Sequence, residues 1–332
     1  MSARAPLHLV ACSDAMDLAE AVGRELGIPV SPSRDVWFAC GEAKHVIERN
    51  VRGGDVYVFQ RPIVPGNPRS VYDRLMMLLH AVDAARLADA DRVTVILPYL
   101  PGSRQDKRKG HVREGVSTGL FARMMQAAGV SMVITVAPHD EAIMGCFDPS
   151  RTVLECIDLT RAFARFLQDH QLVPDVVAST DVGGLEAARG YAQVLGAGLA
   201  ALSKERDYRQ TSVVTQTTVI GDVAGRSVLV IDDIIDTAGS MVSAVEALWD
   251  RGATDIVIGG VHTLMSGPAW SRMRALAMQA RERGVRFRMV GTTGVAHPEA
   301  PEWYHSFPIE PLLADVVRSV NARGSVRALE ER

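Results

Sequence analysis

Short apolar, β-branched runs alternate with amphipathic stretches along nearly the whole chain. Eight runs read as strands: "HLVA" (8–11), "DVYVFQ" (55–60), "RVTVILP" (92–98), "MVITVA" (132–137), "DVVAST" (175–180), "SVLVID" (227–232), "DIVIGGVH" (255–262) and "FRMVGTT" (287–293). Helical patterns lie between several of them. In "VYDRLMMLLHAVDAARLA" (71–88) apolar residues recur at three- and four-residue spacing. In "STGLFARMMQAAG" (117–129) Gly129 follows the last turn, as a C-terminal stop does. Continuous apolar strands alternating with helices predict an α/β fold, with mostly parallel sheets flanked by helices. The rhythm runs twice. One set of strands ends near residue 137, and a second begins near 153. The break is expected around residue 150, where Pro149 and Ser150 interrupt the pattern. Two domains, 1–150 and 151–320, and a polar tail, 321–332, are therefore predicted. The rhythm by itself fits two related α/β units or one large sheet.

Composition narrows the class. The 332 residues exceed the usual size of a single core. Hydrophobic residues at 47% and charged residues at 23% are those of a soluble globular protein. A formal net charge of -3 implies no general attraction to nucleic acid or membrane. No apolar run approaches the ~20 residues that span a bilayer, and the first residues lack the pattern of a signal peptide. Cys12, Cys40, Cys146 and Cys156 are scattered without a CxxC, which predicts free buried thiols in a reducing cytoplasm.

The candidate chemistry sits where strands end. In "VLVIDDIIDTAGS" (228–240) a buried strand 228–231 runs straight into Asp232 and Asp233, then Asp236 and Thr237-Ala238-Gly239-Ser240. Ligands of open parallel sheets bind beyond the carboxyl ends of the strands. Asp236 and Thr237 are expected to cap the next helix, whose N–H groups suit a phosphate. Gly239 permits a close backbone approach. The paired aspartates suit sugar hydroxyls or a metal held by them. In "PYLPGSRQDKRKG" (98–110) a strand end delivers Arg104, Gln105, Asp106, Lys107, Arg108 and Lys109, a concentration of cations that suits a polyphosphate. "STDVGGLEAARG" (179–190) places Asp181 at a strand end and Gly183-Gly184 at the start of a helix. "SKERDYRQTSVVTQTTVIGDVAG" (203–225) carries Lys204, Arg206 and Arg209, which fit either a lid over anionic substrates or an exposed hairpin. His139 follows a strand in "APHDEA" (137–142).

Together these residues resemble the ribose-phosphate diphosphokinase (phosphoribosyl pyrophosphate, PRPP, synthetase) family. "VIDDIIDTAGS" is similar to its ribose-phosphate signature, "SRQDKRK" to its ATP-binding segment, "STDVGG" to its diphosphate turn and "SKER" to the start of its catalytic loop. The similarity runs in order from about residue 8 to about 320. It implies two phosphoribosyltransferase-like (type I) α/β domains, with the active site between them and a neighbouring subunit of a homo-oligomer helping to bind ATP. It also implies Mg²⁺, with ATP and ribose 5-phosphate giving PRPP and AMP. On that resemblance Asp232, Asp233, Asp236, Thr237, Ala238, Gly239 and Ser240 hold the sugar phosphate. Phe38, Glu42, Arg104, Gln105, Asp106 and Arg108 hold ATP, His139 and Asp181 serve the metal, and Lys204, Arg206 and His139 are catalytic.

The chain departs from the family pattern at defined points. "FSDGE" reads "FACGE" (38–42), with Cys40 in an acidic position, and Asp-Leu-His reads Ala137-Pro138-His139. "HGxxSG" reads "HTLMSG" (262–267), with Thr263 for glycine. Asn50 and Pro308 replace serines where phosphate and ADP regulate the common form. Two alternatives therefore stand beside the leading reading. One is a paralogue using another nucleotide or pentose phosphate. The other is a catalytically silent regulatory homologue, against which the retained Lys204, Arg206, His139 and aspartates argue.

Overall fold

The structure, a computed structural model, describes residues 5–108, 112–206 and 214–330; the side chains of 204–206 and 214–216 fall outside the description. The chain divides into two compact units, Met1–Asp158 with Pro308–Arg332, and Leu159–Phe307.

The first unit is built on a parallel sheet. Its strands β1 (Leu7–Ala11), β4 (Asp55–Phe59), β5 (Arg92–Leu97), β6 (Met132–Val136) and β7 (Val153–Ile157) lie side by side in that order. The intervening β2 (Ser33–Trp37) and β3 (Ala43–Ile47) form a separate antiparallel hairpin. Every residue of β4 and β6 is buried, as the continuous apolar runs require. Helices α1 (Met16–Leu26), α2 (Val71–Leu87) and α3 (Ser117–Ala128) accompany the sheet. One core unites Val56, Val58, Val93 and Val95 with Leu78 and Val82 of α2 and Phe121 of α3. A reciprocal cap starts α2: Ser70 Oγ accepts from the Asp73 N–H at 3.1 Å, and Asp73 Oδ2 accepts from the Ser70 N–H at 2.8 Å.

The second unit has a seven-stranded sheet. In chain order its elements are α4 (Thr160–Asp169), β8 (Val176–Ser179), α5 (Leu185–Leu195), β9 (Gly198–Arg206), β10 (Val214–Ile220), β11 (Ser227–Ile235), α6 (Gly239–Asp250), β12 (Asp255–Thr263), α7 (Ala269–Arg283), β13 (Arg286–Thr292) and β14 (Tyr304–Phe307). The spatial order is β10-β9-β8-β11-β12-β13-β14. All pairings are parallel except that of β10 with β9. The chain moves outward from β8 through β9 to β10, then returns and moves outward the other way from β11. The order therefore reverses between β8 and β11.

The boundaries differ from those expected at 150 and 320. β7 completes the first sheet by pairing with β6, because Pro149 and Ser150 lie in a turn before that strand rather than between domains. Helix α8 (Glu310–Asn321) packs on α1, and Arg318 Nη2 donates to the Glu25 carbonyl at 3.0 Å. The last segment thus belongs to the first unit, and Asn321 is buried rather than the start of a polar tail. Its Nδ2 donates to Asp55 Oδ2 at 3.0 Å, which also accepts from the Tyr57 hydroxyl at 3.1 Å. No helix among the described residues is long and apolar enough to cross a membrane.

Asn321→Ala removes a donor from the buried Asp55 carboxylate. The expected loss is about 1–3 kcal/mol of stability, read as a lower urea midpoint at unchanged slope. An unchanged midpoint would show that the α8 anchor does not depend on this hydrogen bond.

Candidate active site

The end of β11 carries the densest chemistry. Strand β11 continues four residues past 231, and its pairing with β8 stops at Ile231 opposite Ser179. Asp232 and Asp233 are therefore inside the strand, standing past the end of β8 rather than past the end of β11. Thr180, the residue after β8, donates its hydroxyl to Asp232 Oδ2 at 2.9 Å. This bond joins the two strands at the point where the sheet order reverses. The backbone N–H of Asp233 donates to Asp232 Oδ1 at 3.0 Å, and that of Ile234 to Asp233 Oδ1 at 2.8 Å. Burial, followed by the neighbouring Asp233, pushes the Asp232 carboxyl up to about 7. Asp181 adds to that push from the β8 side and accepts from the Gly184 N–H at 3.1 Å, which shapes the turn into α5.

The loop to α6 follows. Its helix is capped by Ala238, not by Asp236 or Thr237, and no side chain makes the cap bond. Ala238 is held at φ 62°, a left-handed conformation that disfavours a residue with a Cβ. The loop is pinned from outside: the Met265 N–H donates to the Ile235 carbonyl at 3.2 Å, Ser266 N–H to Asp236 at 2.9 Å, and Arg272 Nη1 to Thr237 at 2.7 Å. The opening N–H groups of α6, from Gly239 and Ser240, have no partners within their own helix. Thr237, Gly239 and Ser240 thus line one turn next to the half-buried aspartates. Thr263 is accommodated because its hydroxyl meets the Tyr304 hydroxyl at 2.9 Å over Gly291, where an added Cβ would stand 2.2 Å from that oxygen.

Strand β9 runs on past its last pairing with β8, Ala201 opposite Ser179, and brings the backbone of Lys204 and Arg206 beyond the β8 end. Arg209 lies outside the described residues.

In the first unit, the loop after β5 and the turn after β6 come together. Lys107 Nζ is 3.0 Å from Asp106 and 3.4 Å from Asp140, and Asp140, the residue after His139, caps the turn Glu141–Cys146. Desolvation pushes the Asp106 carboxyl up, but the Lys107 ammonium and a backbone N–H outweigh it and hold the group below its usual range. His139, next to Asp140 in the chain, contributes in the same direction. Gly102 is required at φ 79°, where Phe121 and Ser117 would lie 2.9 Å from a Cβ. Gln105 Oε1 accepts from Ser117 Oγ at 2.5 Å, tying the loop to α3. Arg104, Arg108 and His139 are exposed. Phe38 and Glu42 occupy the turn of the β2–β3 hairpin, closed by the Phe38 N–H donating to the Glu42 carbonyl at 2.8 Å. Cys40, expected to be buried, is exposed on that turn; Cys146 and Cys156 are half-buried, and Cys12 alone of the four is buried. Thr180 and Arg272 carry no signature of their own in the sequence, since their partners lie 52 and 35 residues away.

The family comparison covers both units. Residues 7–129 match the N-terminal domain of ribose phosphate pyrophosphokinase, and residues 153–282 match the phosphoribosyl transferase domain. Ribose-phosphate pyrophosphokinase of Wolinella succinogenes is 33% identical over 309 residues, spanning 93% of this chain and 94% of its own. That of Burkholderia pseudomallei is 37% identical over 264 residues, 79% of each chain. The crystal structure of phosphoribosylpyrophosphate synthetase from Mycobacterium smegmatis superposes with a TM-score of 0.83 at 31% identity, over 96% of this chain and all of that one. Two type I phosphoribosyltransferase-like domains, full-length coverage and the in-order motifs converge: the chain belongs to the ribose-phosphate pyrophosphokinase family.

Proposed function

We propose that the protein transfers the β,γ-diphosphoryl group of ATP to the anomeric hydroxyl of ribose 5-phosphate, releasing PRPP and AMP. The observation that carries this reading is the site at the sheet reversal, where the Thr180–Asp232 bond sets paired carboxylates beneath a helix N-terminus. A phosphate suits the helix end and the sugar hydroxyls suit the carboxylates.

The proposed roles follow the chemistry of each group. Thr237, Ala238, Gly239 and Ser240 hold the 5-phosphate through backbone N–H groups and hydroxyls. Asp232 and Asp233 accept from the ribose hydroxyls, and Asp236 orients the loop through its pinned carbonyl. Arg104, Gln105, Asp106 and Arg108 bind the nucleotide polyphosphate and ribose, with Phe38 and Glu42 on the base. Those two residues stand on an exposed hairpin turn, which suits donation to a neighbouring subunit of a homo-oligomer. Lys204 and Arg206 neutralise charge on the diphosphoryl group in flight.

The adjacent Asp232 and Asp233, with Asp181 near enough to raise the Asp232 pKa, offer the oxygen donors that a hard divalent cation takes. Asp181 and His139 are the residues proposed to serve Mg²⁺, which when bound offsets the charge of the polyphosphate. No side chain is needed as general base if the anomeric hydroxyl is aligned.

Incubation with ribose 5-phosphate, Mg²⁺ and ATP should yield PRPP and AMP in equal amounts. ADP with a singly phosphorylated sugar would refute the reading. Lys204→Ala and Arg206→Ala should each lower kcat by about 10²-fold, the usual effect of losing one transition-state contact worth ~3 kcal/mol, with KM little changed. Unchanged kcat in both would remove the loop from the chemistry. Asp232→Asn with Asp233→Asn should instead raise KM for ribose 5-phosphate as well as lower kcat, because these groups touch the ground state; a pure kcat effect would contradict their placement on the sugar.

The departures from the family pattern bear on donor choice and regulation. Asn50 turns its carbonyl onto its own backbone, accepting from the Arg52 N–H at 3.1 Å, and Arg52 is 3.8 Å from Asp89. Pro308 removes a hydroxyl and an N–H. Little phosphate activation and no strong allosteric ADP inhibition are expected, together with relaxed donor choice because Cys40 cannot accept as a carboxylate does. Turnover with and without phosphate, with ADP titrated at saturating ATP and with GTP and CTP as donors, checks this. Steep phosphate activation, ADP inhibition that ATP cannot relieve, or strict ATP use would each overturn the corresponding part.

A further inference from the structure

We propose that Cys12, Asp35 and His45 form a binding site for one zinc-class transition-metal ion, which locks the β2–β3 hairpin onto the end of β1.

The three residues converge from separate elements. Cys12 follows the last residue of β1, and its N–H donates to the Phe59 carbonyl at 3.0 Å. Asp35 and His45 are direct cross-strand partners of the hairpin. One ligand atom from each, the thiol sulfur, a carboxylate oxygen and a ring nitrogen, all lie within 4.8 Å of one another. Ligands at about 2.0–2.3 Å from a tetrahedral zinc stand about 3.4–3.8 Å apart. The His45–Asp35 contact, at 2.8 Å, is shorter than this and gives way on binding, and the wider separations are of the size that side-chain rotation closes.

A buried His–Asp pair packed beside a thiol is the ordinary alternative. Two observations favour the metal. The His45 side chain is fully buried, its Nδ1 lies 2.8 Å from Asp35 Oδ1, and its Nε2 has no hydrogen-bond partner. Nε2 points away from Asp35, so Nδ1 is the nitrogen placed to share an ion with that carboxylate, and a ring nitrogen is the commonest metal donor. Further, the cluster gathers three different donor types, not carboxylates alone. The hairpin is otherwise tied to the end of β1 by the Ser13 N–H donating to Asp35 Oδ2 at 2.9 Å and the Ser33 hydroxyl donating to the Ala11 carbonyl at 3.2 Å.

The donor set selects the ion. A thiolate, an imidazole and a carboxylate suit Zn²⁺ and its neighbours, whereas Mg²⁺ takes oxygen ligands in an octahedron. This site is therefore separate from the cation of the phosphoryl chemistry. On binding, the Cys12 thiol gives its proton to solvent and the thiolate takes the metal. The hairpin turn carries Phe38 and Glu42, so a locked hairpin would also steady those two residues; that consequence rests on the proposed nucleotide role, but the metal site does not.

The test uses the full, untagged chain, stripped with chelator and kept in excess Mg²⁺, then titrated with Co²⁺ and Zn²⁺. One equivalent of Co²⁺ should give a near-ultraviolet thiolate charge-transfer band and strong visible bands, displaced by Zn²⁺. Cys12→Ser should lose the thiolate band, and Cys40→Ser should keep it. His45→Gln and Asp35→Asn should weaken binding by roughly tenfold or more. Zinc should also slow amide exchange across 33–47. Absence of the thiolate band in the unmodified chain would overturn the site whatever the variants do. So would a band that survives Cys12→Ser, or unchanged affinity in both His45→Gln and Asp35→Asn.

Discussion

The hydrogen bond from Thr180 to Asp232 is the constraint around which the second unit is organised. In a parallel sheet wound outward in both directions from two central strands, the crossover loops leave those strands on opposite sides and open a crevice between them. Here the central strands are β8 and β11. β8 ends at Ser179, while β11 runs on through two aspartates supported by β12. The Thr180 hydroxyl bridges the step. Without it the Asp232 carboxylate, already disfavoured by burial and by its neighbour, would lose its cross-strand donor.

Above that step the backbone takes a conformation it would not choose alone. Ala238 sits in the left-handed region and is kept there by three hydrogen bonds to the flanking carbonyls at Ile235, Asp236 and Thr237, all donated by the segment 265–272. Strain of this kind persists where the surroundings over-determine it and clusters at ligand sites. The result is a turn pinned at three successive carbonyls and leading into the opening N–H groups of α6. Preorganised dipoles of this type give phosphoryl-transfer sites most of their power.

Much of this could be read from the residues. A continuous apolar strand running into "DDIID" marked the end of β11 as the candidate site, and the strand–helix rhythm predicted the class of fold. What escaped was non-local. A strand near 153 was expected, but as the start of the second set; only its pairing with β6 assigns β7 to the first sheet. Helix α8 looked like the end of the second domain because sequence order is silent about packing, yet its buried Asn321 binds Asp55, 266 residues away. The Ala238 cap escaped because Asp236 and Thr237 are better capping residues by type, and tertiary pins decided the conformation instead. The Cys12, Asp35 and His45 cluster was invisible for the same reason. A hairpin brings together residues ten apart, but no spacing rule tells that it folds over the end of β1.

The α6 turn is the proposed phosphate cradle. Gly239 has ordinary backbone geometry, and a Cβ there would meet only Arg272 Nη1, at 3.5 Å. Gly239→Asp should therefore fold normally while placing a carboxylate where the 5-phosphate belongs. Calorimetric titration of ribose 5-phosphate into this variant should show no binding, with Mg²⁺–ATP binding and thermal unfolding unchanged from the parent. Ribose 5-phosphate binding at parental affinity would contradict the account.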